Sequence, residues 1–427
     1  MPTQNWHLAM SRLITQLETC LIDHFSLASM TLTRHYSQDM KRQYSLDLAR
    51  LVAAYFVLFG HFVLSGTFDE TSRTWVESTE ILPLLSKSGQ SLWMLDIYLL
   101  ETWKTATAIW GVALFFLISG WVVPPMLSRY SRKQFLINRF FRIFPMLIVA
   151  VIVAAAVQYQ FGDRPSLNIG NVLSTMTLTN QFTSHPLTLG VVWTLMIEFK
   201  FYLLITLLGR LNCVKILWAV MAMFMLLALQ ISLVKTGIYS TSPQVMKAAN
   251  SIIHDFCFMI FMLCGSALWI IINHSKTSIT SVGTLLLVLL SYNIYRYLCI
   301  NELGIHLYQD INFSTQLIVS LIFGLCLLVQ KYFPYENYIT RTVCTLSNVT
   351  YSLYLLHVSL GFFLLSRLRH VIESQYLLLV VVTIVVTLIS AGTYRFIEVP
   401  GNMLGKKLLK IYTLNNSSCR KGKAAAG

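Results

Sequence analysis

The sequence predicts an all-α fold: a polytopic membrane helix bundle of about ten transmembrane helices, with both termini cytoplasmic. Three observations carry this. Of 427 residues, 56% are hydrophobic and only 12% are charged, with a mean hydropathy of +0.63. A soluble chain carries roughly 25% charged residues, so half that supply cannot solvate a globule of this length. Apolar stretches of about 20 residues, long enough to cross a bilayer core as helices, recur along the chain. Lysines and arginines alternate between the flanks of those stretches, as membrane topology requires.

The formal net charge of +14 follows from that alternation, and a nucleic-acid partner is not implied. With the N-terminus inside, the inner segments hold about 20 Lys and Arg and the outer ones about 9. Inner cations include Arg129, Arg132, Lys133, Arg139, Arg142, Lys331 and Arg341. Most acids are outer: Asp69, Glu70, Glu77, Glu80, Asp96, Glu101, Asp163, Glu302 and Asp310. The cysteines are scattered through apolar runs with no CxxC pair. They read as small buried hydrophobes, with no disulfide framework and no zinc site.

Residues 1–43 read as a cytoplasmic N-terminal segment without the cleavage pattern of a signal peptide. Met10, Leu13, Leu17, Leu21 and Phe25 recur at helical spacing, which predicts an amphipathic helix on the membrane face. Residues 44–400 read as the membrane domain. Its spans are expected near 45–66, 106–127, 138–159, 188–209, 214–234, 253–273, 281–300, 313–331, 346–366 and 376–396. Residues 401–427 read as a basic cytoplasmic tail, with Pro400 stopping the last helix. The closing Ala-Ala-Ala-Gly is left out of the reading. No transporter-like internal repeat is visible. No appended soluble catalytic domain is expected, so any chemistry is expected of the bundle itself.

A charge at mid-bilayer costs at least about 2.5–3.5 kcal/mol, so ionisable groups inside spans point to function. Asp47 and Arg50 share a face of the first span near the inner surface and suit an ion pair. His61 stands eleven residues above Arg50, about 16 Å of helix rise. It fits either a hydrogen bond to a neighbouring helix or a general base. Arg139 and Arg142 start the third span; they suit phosphate recognition or a snorkelling positive-inside anchor. Glu198 lies deep in the fourth span. Lys200 cannot share its face at i+2, so a partner is expected on another helix, Arg50 among the candidates. His357 is a second intramembrane histidine, in the ninth span. Arg395 and Glu398 are expected to form a local structural pair. Ser119 and Gly120 in the second span suit close helix approach. Outer aromatics Trp75, Trp93, Tyr98 and Trp103 suit an interface belt or a sugar.

Taken in order, these segments resemble the acyltransferase 3 family of membrane acyltransferases. Its members look like D-x-x-R-x-x-A with a following G/F-H, then F-F-x-x-S-G, R-x-x-R-I-x-P, W-S/T-L-x-x-E-x-x-F-Y, S-Y-x-L-Y-L-x-H and I-E-x-P. Here those read Asp47–Arg50–Ala53, Gly60-His61, Phe115–Gly120, Arg139–Pro145, Trp193–Tyr202, Thr350–His357 and Ile397–Pro400. The match covers residues 45–400; Leu51 and Thr350 depart from the usual pattern without touching a charged position.

The resemblance implies an O-acyltransferase of the cytoplasmic (inner) membrane, with acyl-CoA, acetyl-CoA by default, as donor and no tightly bound cofactor. The implied acceptor is an envelope glycan or lipid-linked glycan. It implies His61 as the catalytic histidine, with Glu198 or Asp47 orienting the imidazole. Arg139 and Arg142, with Arg50, would hold the donor at the cytoplasmic mouth. Trp193, Tyr202, His357 and Ser119, within the same motifs, would line the central polar site. A pantetheine arm on the order of 15–20 Å would span the rise to His61. The histidine would act either as base or as covalent acyl carrier. Intramembrane charges also suit a transporter or flippase for a glycan or lipid intermediate, against which the missing repeat and the Arg-x-x-Arg pair speak. A non-catalytic scaffold would leave His61, Glu198 and His357 without a role.

Overall fold

A computed structural model describes residues 44–62, 98–99, 102–161, 168–183, 185–273, 279–305, 311–332 and 338–424. Among them all regular structure is helical and no strand occurs. In chain order the helices are α1 (Tyr44–Gly60), α2 (Thr107–Arg129), α3 (Arg132–Phe161), α4 (Ile169–Met176), α5 (Asn180–Thr183), α6 (Val192–Leu208) and α7 (Cys213–Lys235). They continue as α8 (Pro243–Asn273), α9 (Ile279–Leu303), α10 (Phe313–Tyr332), α11 (Tyr338–Leu368), α12 (Gln375–Thr393) and α13 (Val399–Ala424). A π turn, Tyr394–Glu398, joins the last two.

Seven stretches among the described residues are long and apolar enough to cross a membrane: α2, α3, α7, α8, α9, α11 and the run Tyr376–Ile411. The other three expected spans fall on α1 and α6, of 17 residues each, and α10, of 20. The chain is a multi-pass helical membrane protein. The amphipathic segment 1–43 lies outside the described residues, as do Trp75, Trp93 and all the outer acids named above except Glu302. Tyr98 and Trp103 are exposed.

Helices in lipid gain little from hiding apolar surface, so small residues that bring backbones together decide where they pack. At the crossing of α2 and α8, a Cβ added to Gly120 would stand 1.8 Å from the Met262 carbonyl oxygen. One added to Gly265 would stand 2.1 Å from that of Leu117. Only glycine fits either position, and Ser266 Oγ donates to Gly120 O at 2.8 Å across the contact. On the other side of α2, Gly111 abuts the backbone of Ala53 in α1. The expected close approach at Gly120 is therefore present. It sets α2 between α1 and α8, with Ser119 beside the contact.

Two expectations at the C-terminal end are overturned. Pro400 does not stop the helix. Within the π turn the Val399 N–H bonds to Tyr394 O, five residues back, and Pro400 sits in the first turn of α13, where a missing N–H is tolerated. Gly401 and Gly405, one turn apart, then lay α13 against Pro145 and Phe141 of α3. The predicted boundary at 400 thus falls inside a packed helix. Nor is Glu398 paired with Arg395; it reaches Arg142 of α3 instead.

Candidate active site

The polar residues of the bundle interior form tiers. At the inner end of α1, Asp47 is 3% exposed and accepts from Arg50 Nη1 at 3.2 Å and from Ser347 Oγ of α11 at 2.8 Å. A buried carboxylate needs such compensation, and these contacts tie α1 to α11. Asp47 lies fourteen residues before His61, about 21 Å along the helix. It cannot orient that imidazole, and the expectation that it does so is withdrawn.

The next tier separates the two arginines that the sequence treats as one unit. Arg142 Nη1 donates to Glu398 Oε2 at 3.2 Å, and Ser352 Oγ of α11 donates to the same carboxylate. The Arg142 guanidinium also stands 5.5 Å from the Tyr351 ring centroid. Arg142 is thereby committed to holding α3, α11 and the π turn together. Arg139, one turn away, has softer partners: Met126 Sδ at 2.8 Å and Asn138 Oδ1 at 3.0 Å. Its Nε is buried and makes no hydrogen bond among the described residues. Its guanidinium lies 5.4 Å from the Tyr202 ring centroid.

Tyr202 leads to Glu198, one turn earlier on α6. The Tyr202 hydroxyl donates to Glu198 Oε1, and Ser119 Oγ of α2 donates to the same oxygen at 2.9 Å. The expected partner on another helix is thus Ser119, a neutral donor; Arg50 faces Asp47 instead. Lys200 turns away, as its i+2 position requires, to Asp255 of α8 and Gln181 of α5. Trp193 packs its ring against Phe116 and Phe258, 6.2 and 5.6 Å between centroids, as an aromatic wall between α2, α6 and α8.

One turn above Glu198, Thr194 Oγ1 shares a 2.7 Å hydrogen bond with the Tyr354 hydroxyl of α11. One turn above Tyr354 is His357, 1% exposed. Its Nδ1 lies 2.8 Å from Tyr354 O and 3.2 Å from Leu353 O. Its Nε2 lies 3.1 Å from His61 Nδ1, and that nitrogen is also 2.9 Å from Val57 O. His61 and Phe62 sit where α1 widens into a π turn, a local feature frequent at functional sites. Phe62 packs beside His357, 6.4 Å between ring centroids, by resting on Gly361, where a side chain would collide with its ring.

Ser119, Arg139, Glu198, Tyr202, His357 and His61 therefore follow one interior column, with Trp193 on its flank. The Tyr351 hydroxyl bonds Ile143 O at 2.8 Å, which levels Arg142 with Tyr351. His357 stands six residues higher, about 9 Å of rise, and Arg139 about 4.5 Å lower. The arginine and the histidine pair are thus separated by about 14 Å of axial distance.

Sequence reasoning missed the pairing of the two histidines, the Tyr354–Thr194 link, the ion pair of Arg142 with Glu398 and the buried Asp255. Tyr354 had a usable signal, since it precedes His357 by three residues and shares its face. The Arg142–Glu398 contact joins positions 256 apart in sequence, beyond any local pattern. Asp255, 2% exposed, went unread because it opens an apolar span.

The acyltransferase domain model of the acyltransferase 3 family matches residues 43–395, so the chain belongs to that family. It is a membrane acyltransferase. The matched region holds the whole column from Arg139 to His357; the closing Ile397–Pro400 motif lies just beyond it. No curated protein and no solved structure gave a match.

Proposed function

We propose that this protein takes an acyl group, acetyl by default, from acyl-CoA on the cytoplasmic side of the inner membrane. It delivers that group to a hydroxyl of an envelope glycan or lipid-linked glycan. The observation that supports this reading is the column itself: a guanidinium with an unused Nε donor at its lower end and an imidazole about 14 Å above, inside the bundle. Arg139 engages the phosphates of the donor, and the thioester reaches upward past Tyr202 and Glu198.

Two balanced routes use the same groups. In direct transfer, the acceptor oxygen attacks the thioester carbonyl as His61 takes its proton. The C–S bond then breaks, and the CoA thiolate leaves and is protonated. In the covalent route, the imidazole attacks the thioester, the C–S bond breaks and the CoA thiolate leaves with the ring proton; the acceptor hydroxyl then attacks the acyl-imidazole, and its proton returns to the freed ring. Both need an unprotonated ring nitrogen at His61.

The test is His61→Ala, with CoA thiol release from acetyl-CoA measured in inverted membrane vesicles and envelope glycans weighed by mass spectrometry. Loss of thiol release and of the acyl mass increment, in a protein that still unfolds at the wild-type temperature, supports the reading. Full residual transfer removes His61 from the mechanism, and a folded protein that moves glycan without releasing thiol is a transporter.

A further inference from the structure

The two histidines are joined in a way that fixes which nitrogen carries each proton. Backbone carbonyl oxygens only accept hydrogen bonds. His357 Nδ1 faces two of them, Tyr354 O at 2.8 Å and Leu353 O at 3.2 Å, so Nδ1 carries its proton. In the neutral ring Nε2 is then the acceptor. His61 Nδ1 faces Val57 O at 2.9 Å and that same His357 Nε2 at 3.1 Å. Two acceptors around one nitrogen require a proton there, shared in a three-centre bond. The opposite arrangement, with His357 Nε2 donating to a bare His61 Nδ1, would set lone pairs against all three carbonyls. One assignment satisfies all four of these contacts, and it leaves Nε2 as the unprotonated nitrogen of His61.

From this we infer that His357 is a positioning residue, which holds His61 in the Nδ1–H tautomer and so makes His61 Nε2 the nitrogen that acts on the acyl group or the acceptor proton. The inference rests on the proposed role of His61 and adds the group that sets its reactive face. His357 takes the place that a carboxylate holds in other histidine-based sites, with its own orientation locked by the α11 backbone. When Nε2 picks up the acceptor proton, His61 becomes an imidazolium and its bond to His357 becomes charge-assisted. Alternatively the Nδ1 proton crosses the 3.1 Å gap to His357 Nε2. His61 is then neutral with its proton on Nε2, and His357, protonated on both nitrogens, carries the positive charge until the proton returns. Burial suits the arrangement: His357 is 1% exposed and the Phe62 ring lies beside it, 6.4 Å between centroids.

The experiment compares His357→Phe with His357→Gln in the full-length protein, using acetyl-CoA as donor in inverted vesicles. The glutamine amide oxygen can reach the position of Nε2 and accept from His61; phenylalanine fills the space without accepting. The expected result for His357→Phe is a fall in kcat on the order of 10²–10³-fold with KM for acetyl-CoA unchanged, and recovery to within about tenfold of wild type in His357→Gln. Magic-angle-spinning spectra of ¹⁵N-histidine-labelled protein add a readout that packing alone would not move. The His61 ring signals, identified by subtraction of a His61→Asn sample, should report Nδ1–H in wild type and His357→Gln and a mixture of tautomers in His357→Phe. Equal losses in both variants, an unaffected kcat in His357→Phe, or an unchanged tautomer would overturn the inference. His61→Ala separates the two claims. If it is inactive while His357→Phe is fully active, only the positioning role falls; if it is active, the catalytic reading of the whole site falls.

Discussion

Removing one member of the Arg142–Glu398 pair should cost far more from one side than from the other. The Glu398 side chain is 1% exposed and that of Arg142 is 36% exposed. In Glu398→Ala, the guanidinium keeps access to solvent or headgroups, so the lost pair costs at most about 1 kcal/mol. The Ser352 hydroxyl loses its acceptor, which adds about another 1 kcal/mol. In Arg142→Ala, the carboxylate stays sealed with Ser352 as its remaining donor, and leaving a buried charge uncompensated costs about 3–5 kcal/mol. The double variant strands no charge and should resemble Glu398→Ala, a coupling of at least about 2 kcal/mol. Denaturant-induced unfolding of the four proteins in one detergent, followed by tryptophan fluorescence, reads all of this. Equal single-variant costs, a costlier Glu398→Ala, or additivity within about 0.5 kcal/mol would refute the assignment of Arg142 to structure.

Two further outcomes follow from the same geometry. Arg139→Ala, with no carboxylate to strand, should leave unfolding within about 1 kcal/mol of wild type while raising KM for acetyl-CoA at least about tenfold; an unchanged KM would make Arg139 a topology anchor. Gly120→Leu should yield no folded protein by size-exclusion chromatography, because its side chain would have to enter the Met262 backbone at a point 1.8 Å from the Cβ position; a monodisperse, active variant would show that α2 and α8 can separate.

The fold was legible because the bilayer imposes one rule on every span: about 20 apolar residues with cations inside. The ends of the spans obeyed subtler physics. Pro400 reads as a stop in sequence, yet a π turn, invisible in composition, carries the helix past it. The site was legible residue by residue through cost, since His61, Glu198 and His357 have no reason to sit in lipid unless something repays it. What could not be read was pairing. Glu198 needed a neighbour, but periodicity does not say whether α2 or α1 supplies it. Arg139 and Arg142, three apart on one helix, look equivalent until α11 and the π turn arrive from far along the chain to claim one of them.

That division of the charged groups carries the functional argument. Asp47 has Arg50 and Ser347; Glu398 has Arg142 and Ser352; Asp255 has Lys200 and Gln181. In each, an opposite charge and a neutral donor meet a buried carboxylate, and such a group already has within the protein what a ligand would offer it. Glu198 and Arg139 differ. Among the described residues Glu198 has only hydroxyl donors, Ser119 and Tyr202. Arg139 has a thioether, an amide and an Nε without an acceptor. Tyr202 stands between them, its hydroxyl bonded to Glu198 and its ring centroid 5.4 Å from the Arg139 guanidinium, and no ion pair joins the two among the described residues. An anion met only by hydroxyls and a cation with no carboxylate partner are costly to maintain in the interior. In the proposed reading, a donor that carries phosphates to the cation, and whose reacting end passes the anion on the way to an imidazole, gives both a partner that the fold withholds.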